Sequence, residues 1–234
     1  MKKFMIEDSF WQVFPEAKIG IITCYGINNK IEKEDKYLDL IAKSEQKALS
    51  YLTEDNFIDN DIIKVWRQAF TKFKTKKGAR SSIEALFKRV KNGNQIPTIN
   101  PLVDLYNSIS LNYALPCGGE DIDAIVGNIR LTKAEGTESF ITLGSEESEI
   151  PYVDEIIYKD DEGAICRCWN WREAVRTMLK ESTTNAFLCI ELVDLKREAA
   201  FNEALEALKQ LVIDNLGGQC KVEILDINTR EVEL

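Results

Sequence analysis

Histidine is absent from the 234 residues of this chain. The absence excludes Ser-His and Cys-His nucleophile pairs, removes the usual general base near neutral pH, and removes the side chain that most often binds metals. Any catalysis must therefore use carboxylates, hydroxyls, backbone amides or groups of the substrate itself.

Long apolar runs are also missing, and none approaches the roughly 20 residues that a membrane-spanning helix needs. The first residues carry acids, and Trp11 follows, where a signal peptide would have an apolar stretch and a cleavage site. We therefore expect a soluble, cytoplasmic protein that does not bind membranes.

Glycine and proline are scarce, with 12 and 5 residues, while 44% of the residues are hydrophobic and 29% are charged. This composition is typical of a globular protein rather than a disordered or fibrous one. With 234 residues the chain is long enough for a full core and short enough for one unit. We expect a single domain over residues 1–234.

Cysteine occurs at six positions, but only Cys166 and Cys168 lie close together in the sequence. Two thiols form no zinc site by themselves, and the chain has no second pair and no histidine to complete one. We interpret the cysteines as reduced, mostly buried thiols, and we predict no metal and no cofactor.

Hydrophobic periodicity predicts mixed β-sheets flanked by helices, which is an α/β or α+β fold. The predicted helices cover residues 34–52, 62–73, 81–91, 101–113 and 199–216. The predicted strands cover residues 18–26, 129–131, 139–143, 155–158, 164–169, 186–192 and 221–227.

Short motifs mark where some of these elements begin and end. Residues 81–84 (SSIE) have the spacing of a helix capping box. Residues 160–163 (DDEG) supply the turn that joins two strands as a hairpin. Residues 116–119 (PCGG) break the chain after a helix, and we expect a loop there.

Positive charge is concentrated in residues 64–91, which hold ten Lys or Arg and one acid. This segment is +9, whereas the rest of the chain is −18. Its centre, residues 72–80, is predicted to be an exposed turn whose cations can neutralise phosphates, or a solvated face that offsets nearby acids. The predicted RNA-binding residues are Lys72, Lys74, Lys76, Lys77 and Arg80.

A series of motifs runs in order through more than half of the chain. They are WRQAF at 66–70, KGAR at 77–80, IPTIN at 96–100, PLVDLYN at 101–107, LPCGGED at 115–121, FITLG at 140–144, the segment 155–173, and TTNAF at 183–187. Their order and spacing resemble the free-standing form of the B3/B4 domain of the phenylalanyl-tRNA synthetase β-subunit. The resemblance implies a B3/B4-like core over about 65–193, with a strand and helices before it (1–64) and a helix and strand after it (194–234).

That resemblance implies binding of the aminoacylated 3′ end of tRNA and hydrolysis of a mischarged amino acid, typically tyrosine on the phenylalanine tRNA. In the synthetase a glutamate recognises the tyrosine hydroxyl and a histidine lies in the loop after the helix. Glu173 is the nearest match to the glutamate, but Trp171 and Arg172 replace glycines beside it. The position that matches the histidine is Gly118. These differences affect the expected substrate more than the expected fold.

Residues 167–173 place two cations, two indoles, an amide and a carboxylate together, near the pocket that the resemblance implies. Glu173 and Asn170 are the candidates for catalysis. The predicted substrate-binding residues are Asn100, Gly118, Gly119, Trp169, Trp171, Arg172 and Thr184.

Each candidate also has a plain structural interpretation. Asn100 can cap the following helix, and Thr184 can cap a turn. Gly118 and Gly119 can bring backbone amides close to a ligand or can form an ordinary turn. The tryptophans beside Arg172 can stack on bases or on an aromatic amino acid, or can belong to the core.

An acidic cluster formed by Glu120, Asp121 and Asp123 also has two interpretations. Its carboxylates can orient water or an α-amino group, or they can simply be solvated.

Two functions remain open from the sequence. The first is a trans-editing hydrolase that deacylates mischarged tRNA, in which a positioned water attacks an activated ester. The second is a non-catalytic module that binds tRNA, an amino acid or a protein. The implied partners are tRNA or aminoacyl-tRNA and a small amino-acid ligand.

Overall fold

The structure is a computed structural model, and it describes residues 2–33 and 36–234. Within these residues the α-helices are α1 (Asp8–Trp11), α2 (Leu38–Leu49), α3 (Asp61–Ala69), α4 (Ser82–Lys91), α5 (Pro101–Tyr113) and α6 (Glu198–Leu216). The strands are β1 (Lys3–Ile6), β2 (Lys18–Tyr25), β3 (Cys117–Asp121), β4 (Ile129–Lys133), β5 (Ile156–Lys159), β6 (Ala164–Arg167), β7 (Arg172–Glu173), β8 (Asn185–Leu192), β9 (Gln219–Leu225) and β10 (Glu231–Glu233).

The strands form two sheets, which confirms the predicted α/β fold with helices around mixed sheet structure. The larger sheet has the order β10-β1-β4-β5-β6-β7, and its β1 and β4 are parallel while the other neighbours are antiparallel. The smaller sheet has the order β3-β8-β2-β9 and is antiparallel throughout. The two C-terminal strands therefore pair with the two N-terminal strands, β10 with β1 and β9 with β2.

The two central strands of the smaller sheet, β2 and β8, are buried along most of their length. Their runs of β-branched and aromatic residues match the buried strands that the sequence predicts. Helix α6 covers this sheet at Gly20, where a Cβ atom would lie 2.5 Å from the side chain of Leu205. Only glycine allows the helix to approach so closely.

The helix predictions from residue 101 onward are confirmed. Asn100 accepts a hydrogen bond from the Val103 backbone amide and caps α5, whose first residue is Pro101. Helix α6 ends at Gly217, which has φ of +68°. No helix within residues 2–33 and 36–234 is both long and apolar enough to cross a membrane.

The earlier helices are shorter than predicted. Helix α2 covers Leu38–Leu49 within the predicted range 34–52, and Glu34, where that range starts, lies outside the described residues. Helix α3 ends at Ala69, so Phe73 lies in the following loop, where its ring packs 5.3 Å from that of Phe70. Phe70 and Phe73 are still half-buried, because loop residues can pack on the same side of the core.

Helix α4 begins where predicted, with Ser81 as the capping residue, but the capping box does not form. The Ser81 side chain makes no cap hydrogen bond, and the Glu84 carboxylate instead binds the Arg67 guanidinium through two hydrogen bonds of 3.0 and 3.1 Å. The Glu84 carboxylate therefore forms the bidentate ion pair with Arg67 instead of the capping hydrogen bond with a backbone amide, because charge-assisted bidentate pairs are stronger.

Two local predictions are wrong. Residues 139–143 form no strand of their own. The backbone oxygens of Phe140 and Ile141 accept hydrogen bonds from residues outside any strand, and only Thr142 forms a β-bridge, to Ala174. Residues 116–119 were predicted as a loop, but residues 117–119 belong to β3 (Cys117–Asp121), which pairs with β8. Pairing with β8 satisfies the backbone hydrogen bonds of this glycine-rich segment. This tertiary interaction overrides the weak local preference of glycines for a loop.

Candidate functional site

A cavity of about 490 Å³ lies between strands of both sheets and is closed by helices α4 and α5. This size suits a small-molecule group such as an amino acid. Its walls come from segments that are distant in the sequence, and the side-chain alternation of the strands decides which residues face it.

The smaller sheet supplies one wall. Alternate residues of β8, namely Phe187, Cys189 and Glu191, line the cavity, as do Gly118 and Glu120 on β3. The two strands pair with Gly118 opposite Cys189 and Glu120 opposite Phe187, so these residues form one continuous surface.

The larger sheet supplies the facing wall. Tyr158 on β5 pairs with Cys166 on β6, and Cys166 pairs with Glu173 on β7. All three residues line the cavity. Glu173 therefore stands at the end of a row that crosses three strands.

Glu191 joins the two walls. The Tyr158 hydroxyl donates a 2.6 Å hydrogen bond to one Glu191 oxygen, and the Asn170 side-chain amide donates to the other. Burial raises the pKa of Glu191 to about 7, and the hydrogen bonds from Tyr158 and Asn170 oppose that rise. This acid is buried, and both of its oxygens are hydrogen-bonded.

Glu120 and Glu173 lack such partners. Burial raises the pKa of Glu173 to about 7, and the Gly119 backbone amide opposes the rise. Burial and then the neighbouring Glu173 raise the pKa of Glu120 well above its usual value. One Glu120 oxygen, Oε2, is buried without a hydrogen-bond partner. The two carboxyl groups therefore line one cavity, and both have raised pKa values.

The thiols in the cavity are held in their neutral form. Burial, followed by nearby carboxylates, raises the pKa of Cys166 and of Cys189, and burial has the same effect on Cys117. Because the thiolate is the nucleophile, these cysteines are poorly suited to attack a substrate. Within the described residues, no three or more Cys, Asp or Glu side chains are grouped to hold a metal ion.

The B3/4 domain family model matches residues 65–211, which is more than half of the chain. The chain belongs to the B3/4 domain family. It is similar to the phenylalanine–tRNA ligase beta subunit of Mycoplasma genitalium, with 31% identity over 56% of this chain and 15% of that subunit. It is also similar to the same subunit of Mycoplasmoides gallisepticum, with 33% identity over 47% of this chain and 14% of that subunit.

This B3/4 domain thus spans about a seventh of the length of the curated relatives that it matches. Among solved structures it is similar to an N-terminal fragment of the phenylalanyl-tRNA synthetase beta-subunit from Pyrococcus horikoshii. That likeness has a TM-score of 0.46 and 15% identity, and it covers 93% of this chain and 49% of the fragment.

Seven of the candidate residues line the cavity of the B3/4 domain. They are Gly118, Gly119, Trp169, Asn170, Trp171, Arg172 and Glu173. The structure thus brings together two sequence segments, 118–119 and 169–173, that are about 50 residues apart. Gly118 and Gly119 do not form the turn that was one interpretation of them, since both lie in β3.

Trp169 also belongs to the core of the B3/4 domain. It is fully buried, and its ring lies 4.6 to 5.1 Å from those of Phe10, Phe14 and Trp66. Its φ of +64° follows φ of +45° at Cys168, a conformation that non-glycine residues rarely adopt. This turn ends β6 and directs the next residues toward the cavity mouth.

The next two residues lie at that mouth. Trp171 is half-buried, and the exposed Arg172 guanidinium lies 5.0 Å from its ring. Asn170 contacts α4, because its backbone oxygen and its side-chain oxygen both accept from the Ser82 amide, at 3.2 and 3.3 Å. The pair of Asn170 with Glu191 therefore ties α4 to β8.

Asn100 and Thr184 lie away from the cavity. The Asn100 side chain is buried as the cap of α5 and also binds Asn29 and the Leu179 carbonyl, at 3.1 and 3.2 Å. Thr184 is exposed next to β8. The structure therefore separates these two residues from the seven that meet.

The acidic cluster of the sequence is split. Glu120 faces the cavity, whereas Asp121 accepts a hydrogen bond from the Thr183 hydroxyl at 2.7 Å. Asp123 accepts from the Asn185 side chain at the surface. Alternation along β3 and the following turn accounts for the separation.

The basic loop, residues 70–81, connects α3 and α4 and packs beside the cavity mouth. Lys76 pairs with Glu149, and its ammonium lies 5.8 Å from the Trp171 ring. Lys74 lies 5.6 Å from the Tyr152 ring. Within the described part of the chain, four cations of the loop form no ion pair. They are Lys72, Lys74, Lys77 and Arg80.

Sequence reasoning did not select Glu191 or Tyr158 for the site. A signal was present for Glu191, because it is the only charged residue of an otherwise apolar buried strand, Asn185–Leu192. Such a residue needs a partner or a function. Tyr158 carried no signal, since its role depends on the distant strand that it faces.

Proposed function

We propose that this B3/4 domain binds the aminoacylated 3′ end of tRNA and hydrolyses the ester of a mischarged amino acid, acting in trans in the cytoplasm where tRNA is charged. The observation that carries this proposal is the cavity in which Glu173, with a pKa of about 7, faces Glu120. The names of the curated relatives, which are tRNA ligase subunits, support a tRNA-linked substrate.

Glu173 is the residue that best fits the role of general base. A carboxyl group with a pKa near neutral is partly ionised at pH 7 and can accept a proton from an attacking water. Ser82 also lines the cavity, and its hydroxyl is buried without a hydrogen-bond partner. That hydroxyl can donate to the ester carbonyl oxygen, where negative charge develops.

The surface around the mouth supports a nucleic-acid partner. Arg89 on α4 and Arg172 on β7 line the cavity and are exposed. The basic loop adds Lys72, Lys74 and Lys77, which are exposed as well. A cationic rim above an acidic floor matches a ligand with phosphates outside and an amino acid inside.

The test is deacylation of a panel of aminoacyl-tRNAs that includes tyrosine on the phenylalanine tRNA. We expect turnover of at least one ester, and Glu173→Gln should lower its rate by about 100-fold or more, since general bases contribute roughly 10²–10⁴-fold. The matched control is Glu203→Gln, which changes an exposed glutamate of α6 far from the mouth in sequence and should leave the rate unchanged.

The tRNA contact is tested separately with a triple variant, Lys72→Glu, Lys74→Glu and Lys77→Glu. The variant should weaken tRNA binding and reduce the salt dependence of the affinity by roughly one unit per lost phosphate contact. Charge reversal of Lys43, Lys47 and Lys196, which are also exposed or half-buried, is the control. Equal affinity and equal salt slope for the two triple variants would contradict a role of the basic loop.

A second function, a non-catalytic binding module, is favoured by one observation. Gly118 faces the cavity and leaves no functional group at the position that matches the histidine of the synthetase domain. Tight and saturable binding of aminoacyl-tRNA without turnover of any ester in the panel would establish this function in place of hydrolysis.

A further inference from the structure

The cavity contains an acid, Glu120, whose hydrogen bonding is incomplete. Glu120 is only 5% exposed, and its Oε2 atom has no hydrogen-bond partner. A buried polar atom without a partner destabilises the fold, and more so if it is charged. One reason for a protein to keep such a group in a cavity is that a ligand supplies the partner.

The groups around Glu120 do not supply the missing hydrogen-bond partner. Arg176 favours the charged form from outside the cavity, but its guanidinium already binds both oxygens of Asp160 at 2.7 and 2.9 Å. Thr177 also favours the charged form, but its hydroxyl does not reach hydrogen-bonding geometry. The closest acid, Glu173, opposes ionisation of Glu120.

Among the described residues, two that line the cavity are basic, Arg89 and Arg172, and both are exposed at the mouth. The described part of the chain therefore places no cation deep in the cavity. The space beside the acids is open, because a Cβ atom added at Gly118 would be 3.7 Å from both Glu173 Oε1 and Cys189 Sγ. A ligand group can therefore enter next to Glu173.

We propose that the ligand places a primary ammonium group in this space, where it donates hydrogen bonds to Glu120 Oε2 and to the Glu173 carboxylate. An ammonium group has three donors and one positive charge, so it can satisfy both acids and let them ionise together. This inference rests on the proposed function for its ligand, an aminoacyl group. In such a ligand the ammonium is either the α-amino group or a cationic side chain.

Binding of analogues that cannot be hydrolysed tests this inference without requiring catalysis. The probes are 3′-aminoacylamino-3′-deoxyadenosines that carry norleucyl, lysyl, N-acetyl-norleucyl or Nα-acetyl-lysyl groups, measured by isothermal titration calorimetry. An α-ammonium site predicts that acetylation weakens both compounds at least about tenfold. A side-chain site predicts that lysyl compounds bind at least about tenfold more tightly than norleucyl compounds, with or without acetylation.

Variants of Glu120 and Glu173 test whether these two acids cause the preference for probes that carry an ammonium group. Glu120→Gln should reduce the ammonium preference to less than about threefold, and Glu173→Gln should reduce it in the same direction. Glu203→Gln should retain it. Glu120→Gln should also be at least as stable as the wild type without ligand, because an amide avoids the cost of a desolvated carboxyl group; if this variant does not fold, Glu173→Gln alone provides the test.

The outcomes separate this inference from the proposed function. Ammonium-dependent binding without ester turnover supports the ammonium site and contradicts the hydrolase. Ester turnover with equal affinity for ammonium and non-ammonium probes contradicts the ammonium site and supports the hydrolase. Failure of all four probes to bind at millimolar concentration, or an unchanged preference in both glutamate variants, overturns the ammonium site.

Discussion

Two groups of buried acids differ in whether their charges are matched. Near the hairpin of β5 and β6, Glu155 binds the Arg167 guanidinium through hydrogen bonds of 2.9 and 2.8 Å. Asp160 accepts from Arg176 and from three backbone amides. In the cavity, by contrast, Glu120 and Glu173 have no cation in contact among the described residues.

The pKa values follow this difference. Burial raises the pKa of Asp160, but the hydrogen bonds from Arg176 and the backbone outweigh burial and hold that pKa below its usual value. Burial dominates for Glu173 and raises its pKa to about 7. Burial raises the pKa of both acids, and the hydrogen-bonded cation and amides that only Asp160 has make it a structural anion, whereas Glu173 keeps a raised pKa.

Removing Arg167, the cation that pairs with Glu155, should have the largest effect on stability. Arg167→Ala leaves Glu155 buried without its partner, and we expect the free energy of unfolding to fall by about 3–5 kcal/mol. Denaturant titration measures this change. Arg130→Ala, which removes the more accessible arginine paired with Asp161, is the control and should cost less than about 1 kcal/mol. Similar losses in the two variants would mean that the Arg167 pair is not special.

Adding a methyl group at a glycine should affect stability differently in the two regions, and by less than the loss of Arg167. At Gly163 in the hairpin turn, a Cβ atom would lie 2.6 Å from the Ser139 backbone oxygen, so Gly163→Ala should destabilise the protein by about 1–3 kcal/mol. Gly118→Ala brings only ordinary 3.7 Å contacts and should change stability by less than about 0.5 kcal/mol. Thermal unfolding of both variants checks this, and a large loss for Gly118→Ala would show that the cavity wall is packed rather than open.

The cavity acids with raised pKa values should also make stability depend on pH. Glu173 and Glu191 have pKa values of about 7 in the folded protein and near 4.3 in the unfolded chain, so between about pH 4.5 and 7 the folded state binds more protons. The free energy of unfolding should therefore fall as the pH rises from 5 to 7 and level off above it. We expect the melting temperature to be a few degrees higher at pH 5.5 than at pH 8.

The control for the pH effect is the double variant Glu120→Gln and Glu173→Gln, which should weaken this dependence and leave the part that is due to Glu191, whereas Glu203→Gln should preserve the full dependence. The matched Asp160 acts in the opposite direction, but its contribution is lost only below its usual pKa of 3.8. Stability that rises between pH 5 and 7 would contradict the assignment of raised pKa values to the cavity acids.

Several elements of this fold were predictable because their signals are local. Pro101 after Asn100 marks the start of α5, and alternation with β-branched residues marks β2 and β8. β3 was not predictable, since its two glycines favour a loop and only the pairing with β8 makes it a strand. β1 and β10 were missed for a related reason, because each is short and depends on a partner from the opposite end of the chain.

The candidate site was predictable only in part. The cluster of residues 169–173 and the pair Gly118 and Gly119 were selected from the sequence, and the structure brings them to one cavity. Asn100 was selected for its place in a motif, but its amide is used by the helix cap. Glu191 was missed because its partners, Tyr158 and Asn170, belong to other segments.

The sequence by itself determined what depends on neighbours along the chain. It excluded histidine chemistry, marked the long helices and the hairpin, and concentrated positive charge in the segment 64–91. Only the tertiary structure decided which carboxylates meet a cation and which face an open cavity, because burial and partners are set by residues far apart in sequence. The pKa of an acid depends on those two quantities, so the difference between Asp160 and Glu173 arises only in the folded protein.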